Sequence, residues 1–187
     1  FGVAGQLFLQ LGDALALGFA DFFVPSTRIG QLRQRLAAGD DPALAVAALA
    51  EPAPESALLR SRDWFDPIAD EALGDEHRAP VEAAATLIRG LERGGEAARE
   101  TARTVRRMCP TAVVVTLAQL RHTRAEALTL AEVLDDDLRL LPRLMQRDDF
   151  LEGVRAAVID KDGAPGWDPA RIEDVSEGRV ARILAPA

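Results

Sequence analysis

Apolar residues along this chain recur mostly at helical spacing, and the few departures are short. Gly2 to Leu17 is apolar and interrupted by Gly5 and Gly12, which predicts two short helical pieces. Asp13 is placed to cap the second of them, ending at Gly18. The run Phe19–Val24, FADFFV, is aromatic and stopped by Pro25, so it predicts a short buried strand. Ser26 or Thr27 then caps a helix to about Ala38, with Ile29, Leu32 and Leu36 on one face. A turn at Gly39–Pro42 precedes an Ala-rich helix over 43–50, and EPAPES, 51–56, is a Pro-rich connector.

The second part of the chain is more regular. Leu58–Ala69 reads as partly helical, anchored by Trp64, Phe65 and Ile68, and the polar stretch 70–79 as a loop or a short turn of helix. Amphipathic helices follow over Val81–Arg93 and Glu96–Met108. Pro110 opens another, because a first helical position needs no backbone donor. The β-branched run Val113–Thr116 would suit a strand, but the Pro110 start and the length favour helix. Thr123 with Glu126 three residues on matches a capping box, predicting a long helix with a leucine stripe from Leu128 to Leu141 that Pro142 kinks or ends. Phe150, Val154, Ala157 and Val158 supply the buried face of the next helix. A small element begins at Pro169–Glu173, and Asp174 or Ser176 caps a last helix to about Leu184.

Composition fits a domain with a real core: 187 residues, 48% hydrophobic, 5% aromatic and no tyrosine, so Ala, Leu and Val must fill it. A net charge of −8 argues against a nucleic-acid partner, which requires a basic face. No apolar run reaches the length of about 18 residues that a membrane span needs. The start at Phe1 lacks both Met and a basic leader region, so a fragment or processed product is expected and a signal peptide is not. One cysteine, Cys109, allows no internal disulfide; it reads as a small core residue, and a reducing, cytoplasmic setting is expected.

Catalytic chemistry is sparse. His77 and His122 are far apart in sequence, and no His/Cys cluster has the spacing of a metal site. No nucleophile elbow or Gly-rich phosphate loop is present. Asp135, Asp136 and Asp137 point in different directions on a helix and read as a solvated face; Asp63 and Asp66 read as a helix-end arrangement. The stretch Asp149–Pro169 stands apart. It holds the only lysine, Lys161, between Asp160 and Asp162 and just before Gly163. A lone cation at a helix end beside a glycine turn suits a phosphate-bearing ligand. The same cation simply complements the helix C-terminus, and both readings stand.

The segment DFLEGVRAAVIDKDGAPGWDPARIEDV resembles the C-terminal signature of the 3-hydroxyisobutyryl-CoA hydrolase branch of the crotonase (enoyl-CoA hydratase/isomerase) superfamily. Three further stretches are collinear with that family: DALALGFADFFVPS (13–26), RMCPTAVVVTLAQLR (107–121, with Cys109 at the usual serine) and LTLAEVLDDDLRL (128–140, with Asp137 for Glu and Leu138 for Tyr). The resemblance implies an α/β crotonase-like fold, a ββα superhelix, for the whole protein, with the portion present here predominantly α-helical. Residues 1–26 would end the core and 27–187 would form the helical C-terminal region. Gly2–Gly12 runs into Asp13 with fewer residues than the family has, so a loop is deleted or residues are missing there. The family's oxyanion-hole amides and its catalytic Glu and Asp have no counterpart in this sequence.

The chemistry so implied is hydrolysis of 3-hydroxyisobutyryl-CoA in valine catabolism. The alternatives are an enoyl-CoA hydratase/isomerase paralogue and, from another class, a non-catalytic helical oligomerisation module. No separate cofactor is implied, since coenzyme A belongs to the substrate, and the partners expected are an acyl-CoA and a homo-oligomer. Relatives hold the adenosine-phosphate end of CoA with a C-terminal lysine and an aromatic. The matching position is Lys161, with Arg155, Phe150 and Trp167 as weaker CoA-binding candidates; for Phe150 and Trp167 ordinary helix packing is the stronger reading.

Overall fold

A computed structural model describes residues 11–185. They divide into two compact units, up to Asp63 and from Trp64 onward, and the division falls inside one helix. The helical piece expected before Gly12 lies outside the described residues.

The first unit begins with α1, Leu11–Ala16. Asp13 is inside this helix rather than at its cap. Its carboxylate is buried and accepts from Ser56 Oγ at 2.7 Å and from Leu58 N at 3.1 Å, so it caps a later helix instead. Gly12 lets α1 lie against the connector: a Cβ there would stand 2.2 Å from the Pro54 carbonyl oxygen. Gly18 turns the chain with φ +73°. The strand expected over Phe19–Val24 does not form. Among the described residues there is only an isolated antiparallel bridge, Phe23 with Glu51, and Phe19 and Phe22 are 75% and 50% exposed. A strand is stabilised by a paired neighbour and a covered face, and this run has a single bridge and little cover.

A 3-10 turn, Ser26–Arg28, leads into α2, Ile29–Ala37. Neither Ser26 nor Thr27 caps α2, whose N-cap is Arg28 with no side-chain bond. α3, Pro42–Leu49, is capped by Asp41, which accepts from Leu44 N at 3.0 Å. The connector 51–56 then leads to α4, Ala57–Leu73. This helix continues past Ala69 into the stretch read as polar, because Ala72 is fully buried and extends its apolar face.

The second unit is built around α5, Pro80–Arg93, whose Ala84, Leu87, Ile88 and Leu91 are buried. Three consecutive alanines, Ala83–Ala85, let neighbours approach closely on that face. α6, Glu96–Val105, contributes Ala98 and Ala102 to the same core, and α7, Pro110–Ala125, contributes Val114 and Val115. Trp64, Phe65 and Ile68 of α4 pack on this cluster as the sequence predicts, the two rings edge to face at 5.8 Å. The β-branched run in α7 is helical because two of its valines fill the α5 groove.

α8 is Leu130–Met145, not a helix from Thr123. α7 continues to Ala125, and Ala127 breaks the chain in the left-handed region at φ +48°. The capping box is the next match to the same pattern: Thr129 N donates to Glu132 Oε2 at 2.7 Å and Glu132 N to Thr129 Oγ1 at 3.4 Å. The helix runs through Pro142. α9, Asp148–Val154, passes into a π-helical turn, Arg155–Ile159. The buried face expected here is mostly absent: Phe150, Ala157 and Val158 are exposed, and it is Ala156 that is buried. After a 3-10 turn at Ile172–Asp174, α10, Glu177–Leu184, buries Val180 and Ile183. Ser176 is its N-cap residue but makes no side-chain bond. Arg139 and Arg143 of α8 donate to the last carbonyls of α10, Arg139 Nη1 reaching Leu184 O at 3.0 Å and Arg143 Nη1 reaching Ile183 O at 2.8 Å.

Candidate functional site

The loop bearing Lys161 is set by the π-helical turn. One extra residue in the turn lets Asp160 N bond back to Arg155 O at 2.8 Å and leaves the chain to reverse at once. It does so through two left-handed residues, Lys161 at φ +56° and Gly163 at φ +63°. A lysine in that region is strained, which a glycine is not. Gly163 N closes the turn on Ala156 O at 3.1 Å.

Arg155 organises the loop rather than a ligand. Its guanidinium donates to Glu152 through Nε and Nη2, both at 2.8 Å, and through Nη1 to Asp160 and Asp162, both at 2.6 Å. It also reaches Ala164 O at 3.4 Å. The bonds raise the Arg155 pKa, with the Glu152 bond foremost. The same guanidinium, aided by Gly166 N, holds the Glu152 carboxyl down at about 2, and it lowers Asp162 as well. Three carboxylates therefore surround one arginine, which leaves no donor directed at an external phosphate. Arg155 also neutralises both aspartates that flank Lys161. The Lys161 ammonium is exposed and has no ion pair among the described residues.

Phe150 and Trp167 come together, away from that cluster. They line an open apolar cleft of about 350 Å³ with Cys109, Leu144, Val154 and Val158. Trp167 is fixed by a bond from Nε1 to Arg107 O at 2.9 Å and by contact with α9. A Cβ on Gly153 would lie 3.1 Å from the ring, so glycine makes room for it. Phe150 is 41% exposed. One edge of the cleft is polar: buried Asp149 accepts from Asp168 N at 2.9 Å and pairs with Arg147 at 3.2 Å. Cys109 is the N-cap residue of α7 and half-buried, and burial pushes its thiol pKa up, away from the reactive thiolate. The structure thus places Phe150 and Trp167 on one cleft, Arg155 in the adjoining π-helical turn and Lys161 in the loop after it.

The two histidines, distant in sequence, border one cleft of about 890 Å³ between α7 and the turn after α4. Sequence spacing gives no sign of this. His122 Nε2 lies 4.0 Å from Asp136, which accepts from Arg139 at 2.7 Å. Arg121 caps the turn through the carbonyls of Asp75, Glu76 and Arg78 at 2.7 to 2.9 Å. Asp136 and Asp137 are not simply solvated, since Asp137 accepts from Gln119 at 2.8 Å. Among the described residues no three His, Cys, Asp or Glu side chains are grouped to hold a metal ion, and no helix is long and apolar enough to cross a membrane.

The sequence profile of the family described as enoyl-CoA hydratase/isomerase matches residues 2–184. The chain is 31% identical over 93% of its length to the mitochondrial 3-hydroxyisobutyryl-CoA hydrolase of Gallus gallus, and covers 45% of that protein. It is 30% identical over 88% of its length to the mitochondrial hydrolase of the same name from Homo sapiens, covering 42% of it. Among solved structures it resembles a carnitinyl-CoA dehydratase from Mycobacterium thermoresistibile, with a TM-score of 0.74 at 32% identity over 94% of this chain and 47% of that one. The chain spans less than half the length of these relatives. The cytoplasmic setting expected from the lone cysteine and the absent leader is overturned here, because both hydrolases are mitochondrial proteins by name. A lone cysteine reports a reducing compartment at most, and a sequence that begins without Met says nothing of a leader.

Proposed function

Because the chain belongs to the enoyl-CoA hydratase/isomerase, or crotonase, family, we propose that it is the helical C-terminal portion of an enzyme that hydrolyses the thioester of 3-hydroxyisobutyryl-CoA, a reaction of valine catabolism. The observation that carries this reading is the 31% identity to a hydrolase of that name across 93% of the chain. Residues 1–26 end the core in this reading, 27–187 form the C-terminal region, and coenzyme A enters only as part of the substrate.

The catalytic groups then lie outside this chain. Thioester hydrolysis needs oxyanion donors and a positioned carboxylate to manage proton transfer and water. The described residues bring no such set together; Arg155 is spent on three carboxylates and the Cys109 thiol is held protonated. The contribution of this chain is to hold coenzyme A. Lys161, exposed and relieved of its aspartate neighbours by Arg155, meets a phosphate of the adenosine end. Phe150 and Trp167 offer the nearby apolar wall. Arg155 is a positioning residue for the loop, not a phosphate ligand.

A second reading, a dehydratase or hydratase of the same family, is favoured by the 32% identity to the carnitinyl-CoA dehydratase. Assay of the native gene product with 3-hydroxyisobutyryl-CoA and crotonyl-CoA separates the two. Release of free thiol from the first is the expected result. Hydration of the second with no thiol release overturns the hydrolase.

A further inference from the structure

Residues 160–169 carry two of the coenzyme A candidates, Lys161 and Trp167, and lie outside every helix. A segment of that kind is ordered by the bonds it makes to its neighbours. Two carboxylates one helical turn apart on α9 take the main-chain N–H groups on either side of Trp167. Asp149 accepts from Asp168 N at 2.9 Å, and Glu152 Oε1 accepts from Gly166 N at 2.7 Å. The indole between them lies against Gly153, with Nε1 on Arg107 O.

Asp149 otherwise pairs with Arg147. Glu152 instead reaches the support of the other candidate. Its two oxygens take Arg155 Nη2 and Nε, both at 2.8 Å, a bidentate pair that fixes the plane of the guanidinium. Arg155 Nη1 then holds Asp160 and Asp162, both at 2.6 Å, on either side of Lys161. Without Glu152, Gly166 N loses its acceptor and Arg155 loses both bonds that orient it, so the supports of Lys161 and Trp167 fail together. Groups that are ordered before a ligand arrives cost less to fix when it binds. We propose that Glu152 is a positioning residue for coenzyme A: without touching the ligand, it couples the Lys161 loop to the Trp167 side of the cleft so that both meet it as one unit. The inference rests on the reading that Lys161 and the cleft hold coenzyme A, and not on which thioester reaction follows.

Calorimetric titration of the full-length protein with coenzyme A tests it through Glu152→Ala, Lys161→Ala and the double variant. Each single variant is expected to weaken binding, Glu152→Ala by about ten-fold. The double variant is expected to bind no more weakly than Glu152→Ala alone, because the lysine is already displaced. Losses that add in the double variant overturn the coupling. A loss with Lys161→Ala and none with Glu152→Ala overturns the inference alone; no loss with either overturns the coenzyme A reading as well. Glu152→Gln keeps an acceptor for Gly166 N and loses only the charged pair with Arg155. It is expected to show the same non-additivity, and it replaces the alanine variant if that one does not fold. Turnover separates positioning from damage. With the CoA thioester that the enzyme accepts, 3-hydroxyisobutyryl-CoA or crotonyl-CoA, Glu152→Gln is expected to raise KM and leave kcat unchanged. The same acyl group on N-acetylcysteamine, which lacks the adenosine end, is expected to react with unchanged kcat/KM. An equal loss on both thioesters marks general damage and overturns the inference.

Discussion

Lys161 combines two properties that mutation can separate: an unpaired ammonium and a strained backbone. At φ +56° a non-glycine residue costs about 1 kcal/mol or more relative to glycine. Lys161→Gly is therefore expected to hold or raise thermal stability, by up to about 1 kcal/mol, while weakening coenzyme A binding. Lys161→Ala should weaken binding equally with the strain retained. Calorimetric titration with coenzyme A beside a thermal melt of the full-length protein checks both, and unchanged affinity in both variants removes Lys161 from the site. Glu152 gives a pH test. Its carboxyl is held at about 2 in the folded loop by Arg155 and Gly166 N, against about 4.3 when unfolded. A depressed folded pKa adds stability that is complete above the unfolded value and disappears as pH falls through about 4 toward 2. Trp167 fluorescence should therefore change across that acid window, and Glu152→Gln should diminish the change, with the lowered Asp162 carboxyl accounting for what remains. Lys161 stands out in the sequence as a candidate because it is the only lysine. The role of Arg155 is not legible there, because it follows from a π-helical turn that folds Asp160 and Asp162 back onto it.

At the scale of elements, the clearest test concerns a helix start. Thr123-Arg-Ala-Glu126 and Thr129-Leu-Ala-Glu132 both match the capping pattern, and local sequence cannot rank them. The structure uses the second. Thr129→Ala is expected to cost about 1 kcal/mol, and Thr123→Ala, inside α7, to stay within about 0.5 kcal/mol; denaturant unfolding reads both. Gly12→Ala should be more damaging, because its Cβ would meet the Pro54 carbonyl at 2.2 Å and neither backbone can give easily. A loss of about 1 to 3 kcal/mol is expected. The sequence predicts the Pro110 start of α7, the span of α5 and the apolar anchors of α4, since local chemistry and periodicity fix them, but not the end of α7, which runs on to Ala125 through the Thr123 expected to start the next helix. The strand expected over Phe19–Val24 does not form because aromatic content alone does not secure burial, which is decided by partners that the local sequence does not name.

At the scale of the whole molecule, the second unit has a continuous core and, among its described residues, no catalytic set. Ile88, fully buried where α5 meets its neighbours, makes Ile88→Ala a loss of about 2 to 5 kcal/mol, and that loss would report on folding alone. Catalysis is a separate matter. Thioester hydrolysis requires preorganised oxyanion donors whose removal typically costs about a hundredfold or more in rate. The described residues offer an apolar cleft, a saturated arginine and a thiol pushed away from its reactive form. On the function proposed above, the 187-residue chain by itself is expected to release thiol from 3-hydroxyisobutyryl-CoA no faster than buffer does, and the native gene product is expected to do so enzymatically. Thiol release followed with a chromogenic disulfide, with Cys109→Ser as the background that removes the chain's own thiol, makes the comparison. Turnover by the isolated chain would place a catalytic set within these residues and overturn the assignment of chemistry to the remainder of the fold.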